Sequence, residues 1–331
     1  MTRDKLWLGV VGVGHLGEIH TRLAKTIDAV HLAGIYDIQG DRAREIAKRY
    51  ETHAFDSLSS LLEQVQAVVL AIPTEHHFAI GRRILESQKH LFIEKPITQR
   101  TDEARALIDM ARSYGLKLQV GHIERFNPAF LALKDKAIKP LFIEAHRLCQ
   151  FNPRGTDVSV ILDLMIHDID IVLTLIPSPV AAIHACGVQV VSESEDIANV
   201  RLSFEDGSVA NLTASRISAK DMRKMRLFQR NNYVAIDFLA RKAEILSLAK
   251  SDAGQDYTSS AIPVGQIGSG DKRQDVLLDV PAISEVNSLE LELTHFAEAV
   301  RNGGEVPVPG EDGLRALEVA EIILEQIKRP E

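Results

Sequence analysis

The sequence predicts an α/β fold class in two domains: an N-terminal parallel sheet flanked by helices, then an α+β domain on a mostly antiparallel sheet. Three observations predict it. Short apolar runs alternate with helical patterns as far as residue 122, the rhythm of strand–helix crossover units. Beyond Gly121 that rhythm gives way to longer strand-like runs and hairpin turns. A chain of 331 residues also exceeds what one ordinary core organises. The division is placed at residues 1–122 and 123–331, with the C-terminal helix able to pack back on the first domain.

Each element has its own signal. Residues 6–11, 31–36, 67–72, 90–94 and 117–120 are short apolar runs and read as strands, with a brief sixth at 53–55. Between them, residues 16–27, 41–50, 76–86 and 101–114 carry apolar side chains at helical spacing. In the second half, strands are expected at 141–148, 183–191, 197–204, 208–215, 225–229 and 233–238, with Glu205-Asp206-Gly207 forming a hairpin turn. Residues 254–270, rich in Gly and Ser, read as a loop. Helices follow at 289–302 and 311–328, the second opening after Pro309-Gly310.

Composition narrows the function classes. The hydrophobic set is 45% and charged residues 25%, the balance of a soluble globular protein. A net charge of -8 opposes nucleic acid as a main partner, because binding a phosphate backbone needs a cationic surface. Cys149 and Cys186 belong to no C-x-x-C pair and no metal-ligand spacing, so no metal is expected and both read as reduced thiols of a cytoplasmic protein. The charged start and the strand-length apolar run at 6–13 make neither a signal peptide nor a membrane span. A small molecule remains as the expected partner.

Gly12-Val13-Gly14-His15-Leu16-Gly17 follows an expected strand and opens an expected helix. Gly12 suits a tight turn, Gly14 a close approach to a pyrophosphate, and Gly17 close packing of helix on strand. The phosphates would meet the free N–H groups of a helix N-terminus. Asp37 ends the second strand about 20 residues later, where an acid accepts hydrogen bonds from ribose hydroxyls and repels a 2′-phosphate. A Rossmann domain that takes NAD rather than NADP is the reading. Arg42 lies near enough in sequence to accept a phosphate, or is an ordinary solvated helix residue.

Two further clusters suit chemistry. Glu94-Lys95-Pro96 falls at the C-terminal end of a buried strand, the edge at which open α/β sheets bind ligands. In Asp163-Leu164-Met165-Ile166-His167-Asp168-Ile169-Asp170, an ordinary helix would put Asp163 and His167 on one face. Histidine titrates near neutrality and suits proton removal from an alcohol. Read without context, the lysine is more often an exposed strand end, and the octapeptide a helix N-terminus with acids and a satisfied histidine. An Asp/His metal site lacks a third ligand.

Together the G-V-G-H-L-G string, Asp37, Ile72-Pro73-Thr74 with His77, Glu94-Lys95-Pro96 and the Asp163/His167 pair resemble the glucose-fructose oxidoreductase, inositol dehydrogenase and MocA (Gfo/Idh/MocA) family. The resemblance spans nearly the whole chain, including H-F-A-E-A-V-R-N-G-G and G-E-D-G-L-R-A-L-E-V-A near its end. It implies an NAD(P)-dependent dehydrogenase acting on CH–OH groups, with an open-faced second sheet that mediates homodimers or homotetramers. It also implies roles: Lys95 polarises the substrate hydroxyl, His167 is the acid/base, and Asp163 assists binding. Ile72, Pro73, Thr74, His77, Glu94 and Lys95 join Gly12, Gly14, His15, Leu16, Gly17, Asp37 and Arg42 around the cofactor. Where members often carry glycines, this chain has Ser159-Val160-Ile161 and Met165, which bears on the shape of the pocket.

Residues 121–128, 163–170 and 215–226 look most like the branch that oxidises nucleotide-activated amino sugars, the UDP-N-acetylglucosamine 3-dehydrogenases. Arg125 and Arg216 then join Lys95, Asp163 and His167 as substrate-binding candidates. Arg216, Lys220, Arg223, Lys224, Arg226 and Arg230 cluster with one acid, Asp221, and would suit a diphosphate or simply line a solvated strand. Alternatives stay open: a free sugar or polyol dehydrogenase, a biliverdin reductase-like enzyme, or a regulatory protein that binds NAD without turnover. An open sheet is also expected to expose a broad apolar face for self-association.

Overall fold

The computed structural model describes residues 5–152, 158–250 and 261–328. They divide into two compact units, Met1–Ile123 with Val286–Glu318 and Glu124–Glu285 with Val319–Glu331.

Among the described residues, the first unit holds a five-stranded parallel sheet in the order β2-β1-β3-β4-β5. The strands are β1 (Leu6–Val11), β2 (Val30–Tyr36), β3 (Ala67–Leu70), β4 (His90–Glu94) and β5 (Leu118–Gly121). The helices between them are α1 (His15–Thr26), α2 (Gly40–Arg49), α3 (Leu58–Leu62), α4 (His77–Glu86) and α5 (Thr101–Ser113). β3 is buried at every residue, which is why it reads as a continuous apolar run and not as an alternation. The expected sixth strand at 53–55 shrinks to a single bridge between Ala54 and Ile35. Ser57 Oγ caps α3 by accepting the Ser60 N–H at 3.1 Å, so the chain turns helical before a ladder can lengthen.

Among the described residues, the second unit carries a nine-stranded sheet in the order β13-β14-β12-β11-β10-β6-β9-β8-β7, antiparallel except for β6 beside β9. Its strands are β6 (Phe142–Leu148), β7 (Val180–Val188), β8 (Ile197–Phe204), β9 (Val209–Ser215), β10 (Met222–Gln229), β11 (Asn232–Asp237), β12 (Lys242–Lys250), β13 (Ile262–Ile267) and β14 (Gln274–Asp279). Helix α6 (Pro128–Leu131) starts under an Asn127 cap, and α7 (Ile166–Leu175) packs on β6 and β9. In β8 the side chains of Ala198, Val200, Leu202 and Phe204 are buried while Asn199 and Arg201 face out, the period of two that made the strand legible.

Two expectations change here. Residues 254–260 of the expected loop lie outside the described residues, and 262–267 form β13, an exposed edge strand paired to β14 with a register shift at Pro263/Gly265. The outward face is also not broadly apolar. It bears an aromatic row, Phe142–Phe228 at 5.5 Å and Phe228–Tyr233 at 5.1 Å between ring centroids, beside polar pairs such as Asn199 Nδ2 to Thr213 Oγ1 at 2.8 Å. Arg201 to Asn211 at 3.1 Å continues those pairs.

The chain then returns to the first unit in α8 (Ser288–Asn302). Leu293, Phe296 and Ala297 join the core formed by Leu8, Val10, Val69 and Phe92, with the Phe296 ring edge-on to Phe92. Val120 N–H donates to Val308 carbonyl at 3.0 Å just before α9 (Gly310–Lys328), which begins in the first unit and ends in the second.

Candidate active site

β1 runs into Gly12 with φ at 84°, a backbone that L side chains rarely adopt. A Cβ on Gly12 would fall 2.5 Å from the Ala71 carbonyl oxygen, and one on Gly17 would fall 1.8 Å from the Gly12 carbonyl oxygen. Around Gly14, by contrast, an added Cβ meets nothing within 4 Å. Gly14 is the N-cap of α1 and supplies no side-chain cap, and His15, Leu16 and Gly17 form the first turn with the two former side chains exposed. An open backbone surface at an uncapped helix N-terminus fits the pyrophosphate of a dinucleotide.

Asp37 closes the same edge. Its Oδ2 accepts the Val13 N–H at 2.7 Å and its Oδ1 the Gln39 N–H at 2.8 Å, which leaves a lone pair on each oxygen for a ribose hydroxyl. Arg42 donates from Nε to the Val13 carbonyl at 3.3 Å and from Nη2 to Glu18 at 2.6 Å.

At the ends of β3 and β4, His77 is buried with Nδ1 2.9 Å from the Pro96 carbonyl and Nε2 2.9 Å from that of Ile72. It ties two loops together instead of facing outward. Burial pushes its pKa down against the pull of the Ile72, Pro96 and Ile97 carbonyls. Pro73 is exposed, Ile72 and Thr74 half-buried. Glu94 is buried and accepts a hydrogen bond from His20 Nε2 at 2.7 Å. Burial alone would raise its pKa, but the His20 bond and charge, with Lys95 beside it, hold it below the usual carboxylate range. Lys95 is half-buried and its peptide bond to Pro96 is cis.

In the second unit the expected ordinary helix around Asp163 is replaced by a π-helical turn, Ile161–Met165, in which Ile166 N–H donates back to the Ile161 carbonyl. The wider turn means that the i, i+4 stacking of an α-helix does not set how Asp163 and His167 relate. Both side chains are half-buried where the turn meets α7. The turn is anchored at its start, where Val160 N–H donates to the Glu195 carbonyl at 3.0 Å.

The acids that follow His167 are bound by arginines. Arg147 donates from Nε and Nη2 to the two oxygens of Asp168, each at 2.9 Å, and from Nη1 to Glu124 at 2.8 Å. Burial opposes the Arg147 charge, yet Asp168 and Glu124 keep its pKa above the ordinary guanidinium value. Arg125 forks onto Asp170 at 2.8 and 2.5 Å. Arg216 is buried, donating to the Val158 carbonyl and lying 3.9 Å from Asp196.

The basic cluster is likewise not a patch of one sign. Strand register sets Glu144 opposite Arg226, which it binds at 2.8 Å, and Asp237 opposite Lys224 at 3.3 Å, while Glu124 lies 3.8 Å from Arg223. No group of three or more metal-binding side chains occurs among the described residues.

Residues 6–122 match the NAD-binding Rossmann fold of the Gfo/Idh/MocA oxidoreductase family, and residues 152–330 match that family's C-terminal alpha/beta domain. The chain belongs to the Gfo/Idh/MocA oxidoreductase family. It is 41% identical over 232 residues to the UDP-N-acetylglucosamine 3-dehydrogenase of Acidithiobacillus ferrooxidans, covering 70% of this chain and 74% of that protein. A solved structure of that enzyme superposes with a TM-score of 0.86 at 33% identity, covering 98% of each chain. The myo-inositol 2-dehydrogenase of Thermotoga maritima is 26% identical over 330 residues, 94% of this chain and 92% of that protein. The chain is thus an NAD-binding oxidoreductase with the Rossmann and α/β domains that its motifs implied.

Sequence reasoning did not single out His20, Glu18 and Asp196, which bind or approach the candidates Glu94, Arg42 and Arg216, nor the Arg147–Glu124–Asp168 cluster, whose Asp168 follows His167 in the chain. For most of them the partner lies tens of residues away, as with His20 and Glu94, so no local spacing announces it.

Proposed function

We propose that this family member transfers a hydride between NAD and a secondary hydroxyl of a UDP-activated amino sugar, as the name of its Acidithiobacillus relative suggests. The likeness to that enzyme along nearly the full length of both chains carries the reading. Bound NAD supplies the hydride acceptor. Lys95, at the C-terminal end of β4, polarises the substrate hydroxyl and steadies negative charge that develops on its oxygen. His167 takes the hydroxyl proton as the C–H bond gives up its hydride, and Asp163 binds the sugar. Arg125 and Arg216 are assigned to holding Asp170 and the Val158 backbone, since their guanidinium groups already serve protein acceptors.

The test is NADH formation by the purified protein with NAD and UDP-N-acetylglucosamine, run beside N-acetylglucosamine and myo-inositol. Turnover confined to the UDP-sugar supports the reading. Preference for myo-inositol would move the protein to polyol oxidation, which the inositol dehydrogenase likeness favours. We further propose a cytoplasmic homo-oligomer formed through the outward face of the second sheet; its aromatic row Phe142, Phe228 and Tyr233 supplies the apolar part of that contact. Light scattering at micromolar concentration should give a dimer or tetramer, and a monomer would refute it.

A further inference from the structure

Glu18 stands one residue beyond the glycine motif, on α1, and its carboxylate collects three donors. Arg42 Nη2 reaches Oε2 at 2.6 Å, Arg49 Nη1 reaches Oε1 at 2.5 Å, and Tyr50 OH reaches Oε1 at 3.1 Å. Glu45 completes the group, accepting from Arg42 Nη1 at 3.1 Å and Arg49 Nη2 at 2.7 Å. Burial opposes the Glu18 charge, but hydrogen bonds from Arg49 and Tyr50 and the charges of Arg49 and Arg42 keep its pKa below the usual range.

Arg42 and Asp37 meet at a single residue. Asp37 accepts the Val13 N–H, and Arg42 donates to the Val13 carbonyl. A group recognised by Asp37, as ribose hydroxyls are in this fold, therefore has an arginine for a neighbour. An uncommitted guanidinium there would bind a 2′-phosphate by paired charge-assisted hydrogen bonds. In this protein it is committed. The two arginines face Glu18 and Glu45, and Asp37 adds a further negative charge, so an incoming phosphate meets a site of net negative sign.

We infer that Glu18 is a specificity-determining residue for the cofactor: by holding Arg42, it withholds the cation that a 2′-phosphate would need and excludes NADP jointly with Asp37. The contribution of Glu18 is separable from helix building. Glu45 and Arg49 already pair at i, i+4 within α2 in the favourable order, whereas Glu18 reaches across from another helix. Substituting both Glu18 and Asp37 by neutral residues would turn the site net positive while leaving the glycine loop intact.

The experiment measures dissociation constants for NAD and NADP by calorimetry, with wild type, Glu18→Gln, Asp37→Ser and the double variant. It needs no sugar, so it stands apart from the substrate assignment. Each single change should improve NADP binding by roughly threefold to tenfold, and the double variant should exceed the product of the two by about tenfold, the coupling of neighbours that share a ligand. Arg42→Ala placed in the double variant should abolish the gain. Equal weakening of both cofactors in Glu18→Gln, or a gain that survives Arg42→Ala, would overturn the inference and leave Glu18 as a staple between helices. Should the double variant fold poorly, Arg42→Ala in the wild-type chain still decides. An unchanged preference is expected because Arg42 is already withheld, and a loss of NADP affinity there would show that it serves the phosphate after all.

Discussion

Arg147 grips both carboxylate oxygens of Asp168, each at 2.9 Å, one residue beyond His167. The same guanidinium holds Glu124 at 2.8 Å, and all three side chains are buried. A buried pair adds little over a well-packed apolar substitute, but removing one partner strands the others. Arg147→Met should therefore cost about 3 to 5 kcal/mol, because two carboxylates lose their cation together. Urea denaturation followed in the second unit should show it as a lowered midpoint. The triple change Arg147→Met, Asp168→Asn, Glu124→Gln should recover part of the loss, and a single variant as stable as wild type would mean that water reaches the cluster.

Gly14 and Gly17 should fail in different ways. A Cβ at Gly17 meets the Gly12 carbonyl oxygen at 1.8 Å, so Gly17→Ala must displace α1 from β1 and destabilise the first unit even without cofactor. At Gly14 the added methyl meets no protein atom within 4 Å, so Gly14→Ala should leave the melting temperature of the free protein nearly unchanged and weaken NAD binding. Thermal melts with and without NAD separate the two. If Gly14→Ala bound NAD as wild type does, the pyrophosphate would not lie over that backbone.

Acid should destabilise the second unit partly through Asp196. Its carboxylate accepts backbone N–H bonds from Val190, Val191 and Ser192 at 2.7 to 3.0 Å and the Ser192 hydroxyl at 2.6 Å. Burial alone would raise its pKa, but these bonds hold it well below the ordinary aspartate value. A depressed folded pKa means that the unfolded chain takes up the proton first as pH falls. The stabilisation is fully present above the unfolded value of about 4 and drains away as pH drops toward the folded one. Denaturation midpoints from neutral pH downward should fall steeply below about pH 4 in the wild type and less steeply in Asp196→Asn, which starts lower. Parallel curves would remove Asp196 from the acid limb.

Most of the first unit was legible because β1 and β4 sit between turn signals and α1, α2, α4 and α5 carry apolar residues at helical spacing, whereas α3, five residues long, was not. β12 and β14 were not, since half-buried residues such as Leu246, Leu248 and Leu278 blur the alternation near a sheet edge. The site divides in the same way. Gly12, Gly17 and Asp37 act through local backbone, so their spacing displayed them. Arg216, Arg226 and Lys224 read as one basic run because Asp196, Glu144 and Asp237 reach them only through tertiary contact and strand register. The π-turn at Ile161–Met165 has no helical periodicity to betray it, five residues being too short a window.

Lys95 and His167 are proposed to divide the chemistry between them. Oxidising an alcohol takes a hydride from carbon and a proton from oxygen, on which negative charge grows as the bonds break, so a base and a cation can both act at one hydroxyl. A histidine titrates near working pH and can take the proton; a lysine that stays cationic can stabilise the oxygen as its charge grows. Neither task bears on dinucleotide affinity, which is assigned to the glycine loop and Asp37. Lys95→Met and His167→Asn should each fold and bind NAD nearly as wild type, yet lose at least about a hundredfold in turnover of UDP-N-acetylglucosamine. The double variant should be little worse than the poorer single one, because groups that act on one bond as a unit are not additive. Stopped-flow measurement of the first turnover is the right readout, since slow release of NADH would otherwise mask the chemical step. His167→Asn with a normal first turnover would take the proton-transfer role from His167 and pass it to Asp163 on the π-turn.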